Sequence, residues 1–164
     1  MNPRQKKLNE EEIGKIFLDS AFKVHTALGP GLLESVYEAA IAFELINRGL
    51  IVERQKPIPV KYEGQVLDIA FRADLIVNGL VLVELKSVET ITPLFKKIST
   101  NYVRLASLKL GFLLNFNEVH LKNGITRLTN GLEGKDFFAA QDVSNLDFRN
   151  PSLPSYTSPP SRET

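Results

Sequence analysis

Two acids and a lysine stand where a sheet core is expected: Asp74, Glu84 and Lys86 in "ADLIVNGLVLVELKS". Leu75, Ile76 and Val77, then Val81, Leu82 and Val83, are apolar at both strand parities, so this hairpin reads as covered on both faces. A solvated strand face or a simple acid–lysine pair would also place charges on strands, but neither suits a hairpin covered on both sides. Ionisable groups in such a place are paired or hold a metal, because an unpaired charge taken out of water costs several kcal/mol. Magnesium, or manganese in its place, prefers oxygen ligands and is usually held by one or two carboxylates together with waters and phosphate oxygens. Asp74 and Glu84 are the candidate carboxylates. Lys86 lies two residues after Glu84, on the same side of its strand. Its ammonium can orient or deprotonate a water, or stabilise charge developing on a phosphoryl group.

This chemistry depends on register. A two-residue turn at Asn78-Gly79 would pair Val77 with Leu80 and put Asp74 and Glu84 on opposite faces. A three-residue loop pairing Ile76 with Leu80, or a β-bulge, returns Asp74, Leu82, Glu84 and Lys86 to one side, and one of these is expected.

The elements that must position these residues follow from the pattern. Asn9 before Glu10, Glu11 and Glu12 predicts an N-cap and an acidic first turn; Ile13, Ile16, Phe17, Ala21, Val24 and Leu28 form the apolar stripe of that helix, which ends at "LGPG". "GLLESVYEAAIAFELINRG" predicts a second helix of about 17 residues closed by Gly49. Leu33, Val36, Ala40 and Phe43 mark its apolar face, and Glu34, Tyr37, Glu38 and Ile41 a neighbouring mixed face. An antiparallel meander follows: "IVERQ", "IPVKYEG", "QVLDIAFRADLIV" and "LVLVELKSV", separated by Pro57, Glu63-Gly64 and Asn78-Gly79. Thr92 and Pro93 open a third helix with Leu94, Ile98, Tyr102 and Leu105 at helical spacing. "LGFLLNF" reads as a strand covered on both faces and "GITRLTN" as a last edge strand.

The chain of 164 residues, with 43% hydrophobic and 24% charged residues, suits one α/β (α+β) domain over residues 9–132. The Pro/Ser-rich stretch 140–164 has too little apolar surface to offset its ordering entropy and is expected to be disordered. A net charge of +1 shows no global sign of a polyanion partner, so any phosphate-binding surface must be local. With no cysteine a thiolate site is excluded, and His25 and His120 are too few and too far apart to suggest a zinc site, so oxygen ligands are expected for any metal. No apolar leader and no stretch near 18 apolar residues is present, so a cytoplasmic location without membrane contact is expected.

"GLLESVY", with Gly31, Glu34 and Tyr37, resembles the signature of the GxxExxY proteins. "FRADLIV" and "VELKSVE" resemble the D and ExK motifs of the PD-(D/E)xK nuclease superfamily. The similarity runs from about Ile13 to Phe116 and includes "ERQKPIPVKYEG" and "LKLGFLLNF". It implies a restriction-endonuclease-like αβββαβ core, a mixed sheet flanked by helices, with an extra N-terminal helix and magnesium-dependent phosphodiester cleavage. By position, Asp74 and Glu84 are then metal ligands, Lys86 the catalytic lysine, and Glu34 an acid reaching the metal from the preceding helix. Glu38, Tyr37 and Tyr102 are candidates for the surrounding shell, and Lys96, Lys97 and Arg104 for phosphate contacts. The pattern departs from its relatives at Ile98, where a glutamine is usual four residues before the helix tyrosine, and at Phe95, where a histidine is common. Three readings compete: a nuclease acting on DNA or, second, RNA; a nuclease-fold protein that binds nucleic acid or a partner without turnover; and a structural module. A homodimer would suit a duplex, though no pattern in the sequence requires it.

Overall fold

The computed structural model describes residues 7–131; the last residue of the expected domain and the whole of 140–164 lie outside the described residues. Helix α1 (Glu10–Leu28) opens on a capping box, in which Asn9 accepts from the Glu12 backbone and the Glu12 side chain accepts from the Asn9 backbone. Helix α2 (Glu34–Asn47) follows the Gly-Pro-Gly break, and Gly49, at φ 84°, takes the left-handed conformation that ends it. Strands β1 (Val52–Tyr62), β2 (Gln65–Val77) and β3 (Val81–Lys86) form the antiparallel meander. Helix α3 (Pro93–Leu105) then carries the chain across to β4 (Leu110–Asn115), parallel to β3, and β5 (Ile125–Thr129) closes the sheet antiparallel to β4. The sheet order is β1-β2-β3-β4-β5.

Two apolar layers sandwich the sheet. On one face α1 and α2 bring Ile13, Phe17, Tyr37 and Ile41 against Leu75, Val83, Leu85 and Phe112. On the other, α3 packs Val103 against Ile76, Leu82 and Leu113. All six residues of β4 are buried, as its unbroken apolar run requires. Gly111 of β4 makes this packing close: a Cβ there would stand 2.5 Å from a Val103 methyl and 3.0 Å from the Leu82 carbonyl.

Four expectations change. Pro57 does not divide β1: the strand runs through Pro57 and Pro59 because it lies at the sheet edge, where a missing N–H leaves no ladder bond unmade. In α2 the face read as mixed is the inner one, with Tyr37 and Ile41 fully buried, while Leu33 and Phe43 face outward, 74% and 64% exposed. In α3 the most buried positions are Ser99 and Val103 rather than the Leu94–Leu105 row. The β2–β3 loop has three residues, Asn78 to Leu80, but it pairs Val77 with Val81, one residue further along each strand than expected. Asn78 and Gly79 both have positive φ, and Leu80 is the added residue that preserves parity. The loop is pinned at its base: Asn78 Oδ1 accepts from Ile51 N at 2.7 Å, and Asn78 N donates to Ile51 O at 2.8 Å.

Candidate active site

Pairing between β2 and β3 stops at Leu75 and Val83, while β3 stays paired with β4 as far as Lys86. Beyond that point β2 follows β1 away from β3, and the two carboxylates fill the opening. Asp74 N donates to Glu84 Oε1 at 3.3 Å, and Leu85 N donates to Asp74 Oδ2 at 2.8 Å. Side-chain oxygens thus replace the carbonyls that a continued ladder would have supplied, which the near-complete pairing of buried backbone donors demands. The sequence expectation placed Leu82 opposite Asp74; the observed register, continued by one step, places Glu84 there instead.

Both acids hold their protons more tightly than ordinary carboxylates. Burial raises Glu84 well above its usual range, with the Asp74 charge adding to the effect and Glu34 contributing in the same sense; Lys86 and the Asp74 backbone bond oppose it. Burial also raises Asp74, and Glu38 adds to this, while the Leu85 bond, Lys86 and Gln55 oppose it. The strands therefore press together charges that a cation would relieve.

Helix α2 supplies the other two acids from across the sheet. Glu34, in its exposed first turn, accepts from Ser87 N at 3.2 Å, next to Lys86, and Ser87 Oγ donates to Leu32 O at 2.7 Å. Glu38 is buried between Arg54 (Nε to Oε1, 3.0 Å) and Gln55 (Nε2 to Oε2, 2.6 Å). Gln55 Nε2 also donates to Asp74 Oδ1 at 3.2 Å, so one amide bridges the acid of α2 and the acid of β2. Its backbone sits at φ 50°, a conformation costly for a residue with a side chain, and this is what turns the amide inward from an edge strand.

The remaining candidates fall into place around this core. The Lys86 ammonium lies 5.3 Å from the centre of the Phe95 ring, an attractive cation–π placement. Tyr102 stacks on Phe71 at 3.9 Å between centroids. Tyr37, a candidate for the surrounding shell, is fully buried: its hydroxyl donates to Gly29 O at 2.6 Å and accepts from Leu32 N, fastening the loop that leads to Glu34. Lys96 and Lys97 are half-buried on α3, and Arg104 is exposed and bonded to Asn101. Asn115, at the end of β4, clamps the chain just past Lys86 by exchanging two bonds with the Val88 backbone. Gln55, Ser87 and Asn115 were not singled out from sequence; only the position of Ser87, directly after the ExK triplet, could have pointed to it.

Among the described residues no three Asp, Glu or His groups converge tightly enough to cage an ion by themselves. Two adjacent carboxylates of raised proton affinity still form a donor set for magnesium or manganese, which keep several waters and need only one or two protein ligands.

This sheet, with two acids and a lysine where the middle strands part, matches the family comparison. Residues 11–128 match the model of the PD-(D/E)XK nuclease superfamily, and the chain belongs to that superfamily. The domain is accordingly of nuclease type, in a superfamily whose members generally use divalent metal ions. No curated protein and no solved structure matches the chain. Among the described residues no helix is long and apolar enough to cross a membrane.

Proposed function

We propose that the protein is a metal-dependent phosphodiesterase that cleaves DNA, and that it belongs to the GxxExxY branch on the strength of Gly31, Glu34 and Tyr37. The observation that carries the activity is the pair Asp74–Glu84, side by side at the fork of β2 and β3, Glu84 buried and Asp74 half-buried, with Lys86 next on the same strand side. Asp74 and Glu84 are the residues to hold the cation, with Glu34 joining them from α2. A bound divalent ion supplies Lewis-acid polarisation of a phosphoryl oxygen and charge neutralisation. Lys86 places a positive charge where a pentavalent phosphoryl group would build negative charge, or orients the attacking water. Gln55 ties Glu38 to Asp74 through one amide, and Arg54 holds the other Glu38 oxygen. Lys96 and Lys97 are proposed to meet substrate phosphates, which fix position without reading sequence.

Cleavage of plasmid and single-stranded DNA with magnesium or manganese tests this reading, comparing the wild type with Asp74→Ala and Lys86→Ala. Both variants should lose activity by at least about 100-fold, the scale of removing one electrostatic or proton-transferring group. Cleavage unchanged by both would exclude the site. A second reading, binding of nucleic acid without turnover, is favoured by Lys86 resting over Phe95 and by Glu38 being fully engaged. Gel-shift binding with no cleavage under either metal would select it.

A further inference from the structure

Helix α2 is apolar on both sides. Its inner row, Tyr37, Ile41 and Leu45, is fully buried in the core. Its outer row, Leu33, Val36, Phe43 and Ile46, faces away from it at 74%, 40%, 64% and 57% exposure, with Ala39 and Ala40 between. A helix apolar all round belongs in an interior, and a contiguous exposed apolar patch on a folded domain marks a contact surface. The C-terminal half of α1 widens the face: Ala27 and Leu28 flank Ala40 and Phe43 across a groove of about 200 Å³. None of these outer positions depends on the acid cluster, and the inference stands whether or not the protein cleaves DNA.

The order of the residues says what covers the face. The outer row is symmetric about the point between Ala39 and Ala40. A second α2 laid antiparallel about a two-fold axis there sets Val36 against Phe43 of the other copy, Leu33 against its Ile46, and Ala39 against its Ala40. That is the self-complementarity an isologous contact needs, and the small residues fall at the axis, where the helices must approach most closely. Polar terms agree: the outer row carries no charge, and the two helix dipoles oppose. A 14-residue helix is about 21 Å long, and with α1 beside it the face measures roughly 20 by 20 Å before side-chain relief. That is the order of the ~800 Å² of accessible surface each partner contributes to a standard interface.

We infer that the outer face of α2, with the end of α1, is a homodimer interface that packs four helices around a two-fold axis at Ala39–Ala40. Sedimentation velocity of the full chain over a concentration series tests it, with Phe43→Glu as the disrupting variant and far-UV circular dichroism as the control for folding. The wild type should sediment as a dimer, and Phe43→Glu, which buries one carboxylate from each copy, should stay folded and weaken association at least about 100-fold. Since the chain has no cysteine, Ala39→Cys supplies a second readout and should give a disulfide-linked dimer under oxidising conditions. A monomeric wild type overturns the inference. If Phe43→Glu then lowers its melting temperature, the face is covered by the chain's own residues beyond 131; if not, it serves a different protein. A dimer that persists in Phe43→Glu, or that Ala39→Cys does not crosslink, uses another surface and overturns it equally.

Discussion

Replacing Glu84 by glutamine should stabilise the metal-free protein at neutral pH. Glu84 is buried, its proton affinity is raised by burial and by Asp74, and one backbone N–H at 3.3 Å is its hydrogen-bond donor. Side chains opposite one another on neighbouring strands stand about 5 Å apart, and two like charges at that distance repel by about 3 kcal/mol at an effective dielectric constant near 20. Lys86 already offsets part of this. Glutamine keeps the oxygen that accepts from Asp74 N and adds an amide that can donate to the Asp74 carboxylate, so the net gain should be about 1–3 kcal/mol. For a domain of this size that is roughly 3–10 °C in melting temperature. The pH dependence identifies the cause. A raised native pKa means that the native state binds the proton more tightly than the unfolded chain does, so wild-type stability falls as pH rises from the ordinary glutamate range near 4.3 through the raised native value, and stays lowered above it. Glutamine does not titrate. Its advantage is therefore absent near pH 4 and grows as pH rises through that window. Differential scanning calorimetry in EDTA at pH 4 and pH 7.5 measures it. A lower melting temperature at pH 7.5 would refute the argument, and so would a gain of equal size at pH 4, since that would come from packing rather than charge. Magnesium should then raise the melting temperature of the wild type more than that of the variant, by mass action on a site that the variant has weakened.

Gly111→Ala should destabilise by about 1–3 kcal/mol through the clash with Val103, and Val103→Ala should recover part of the loss in a double-mutant cycle of denaturant unfolding. Asn115→Ala should cost about 2–4 kcal/mol, because it orphans the Val88 backbone groups beside a fully buried position; urea denaturation measures the loss, and little change would mean that the segment after Lys86 is held by other contacts. Glu11→Ala should cost about 3 kcal/mol by leaving the buried Arg127 guanidinium without the carboxylate it binds, whereas Arg127→Met should be near neutral; equal losses in chemical denaturation would show that the pair's value lies in packing and not in charge.

Much of the scaffold was legible because local chemistry and tertiary need agree. Asn9 with three glutamates, Thr92 with Pro93, and the uninterrupted run of β4 each have one reading, and the structure adopts it. The faces of α2 were not legible, because apolar periodicity assigns a core side only when the opposite side is polar; here both rows are apolar, and packing against the sheet chose the one containing Tyr37. The parity of Asp74 and Glu84 was inferred correctly from the demand that they share a face. Their register was not, because a turn at Asn78-Gly79 followed by one extra residue differs by a single step from the loop expected, and only the anchorage of Asn78 on Ile51 decides between them. Gln55 was hidden for a different reason: its role depends on a left-handed backbone that glutamine rarely adopts, so no propensity points to it.

The fork between β2 and β3 explains why acids so poorly suited to a core are placed here. A sheet that continued pairing past Leu75 and Val83 would satisfy its own backbone and leave no room for ligands. A sheet that simply parted would leave buried N–H groups unpaired, at about 1–3 kcal/mol each. Asp74 and Glu84 meet both requirements, since their oxygens accept from Leu85 N and Asp74 N where the ladder ends. Each carboxylate uses one oxygen this way, and Asp74 gives its other to Gln55, so the backbone fixes the acids as firmly as the acids fix the backbone. Lys86 stays on a strand held on its other side by β4, so the ammonium is carried by the rigid half of the fork and Asp74 by the diverging half. The separation of these groups is thus set by how far β2 swings from β3. The bridge from Gln55 to Glu38 and Asp74 ties that swing to α2, whose outer face is the one inferred to meet a second copy. Glu38 and Gln55 therefore join α2 to the diverging half of the fork.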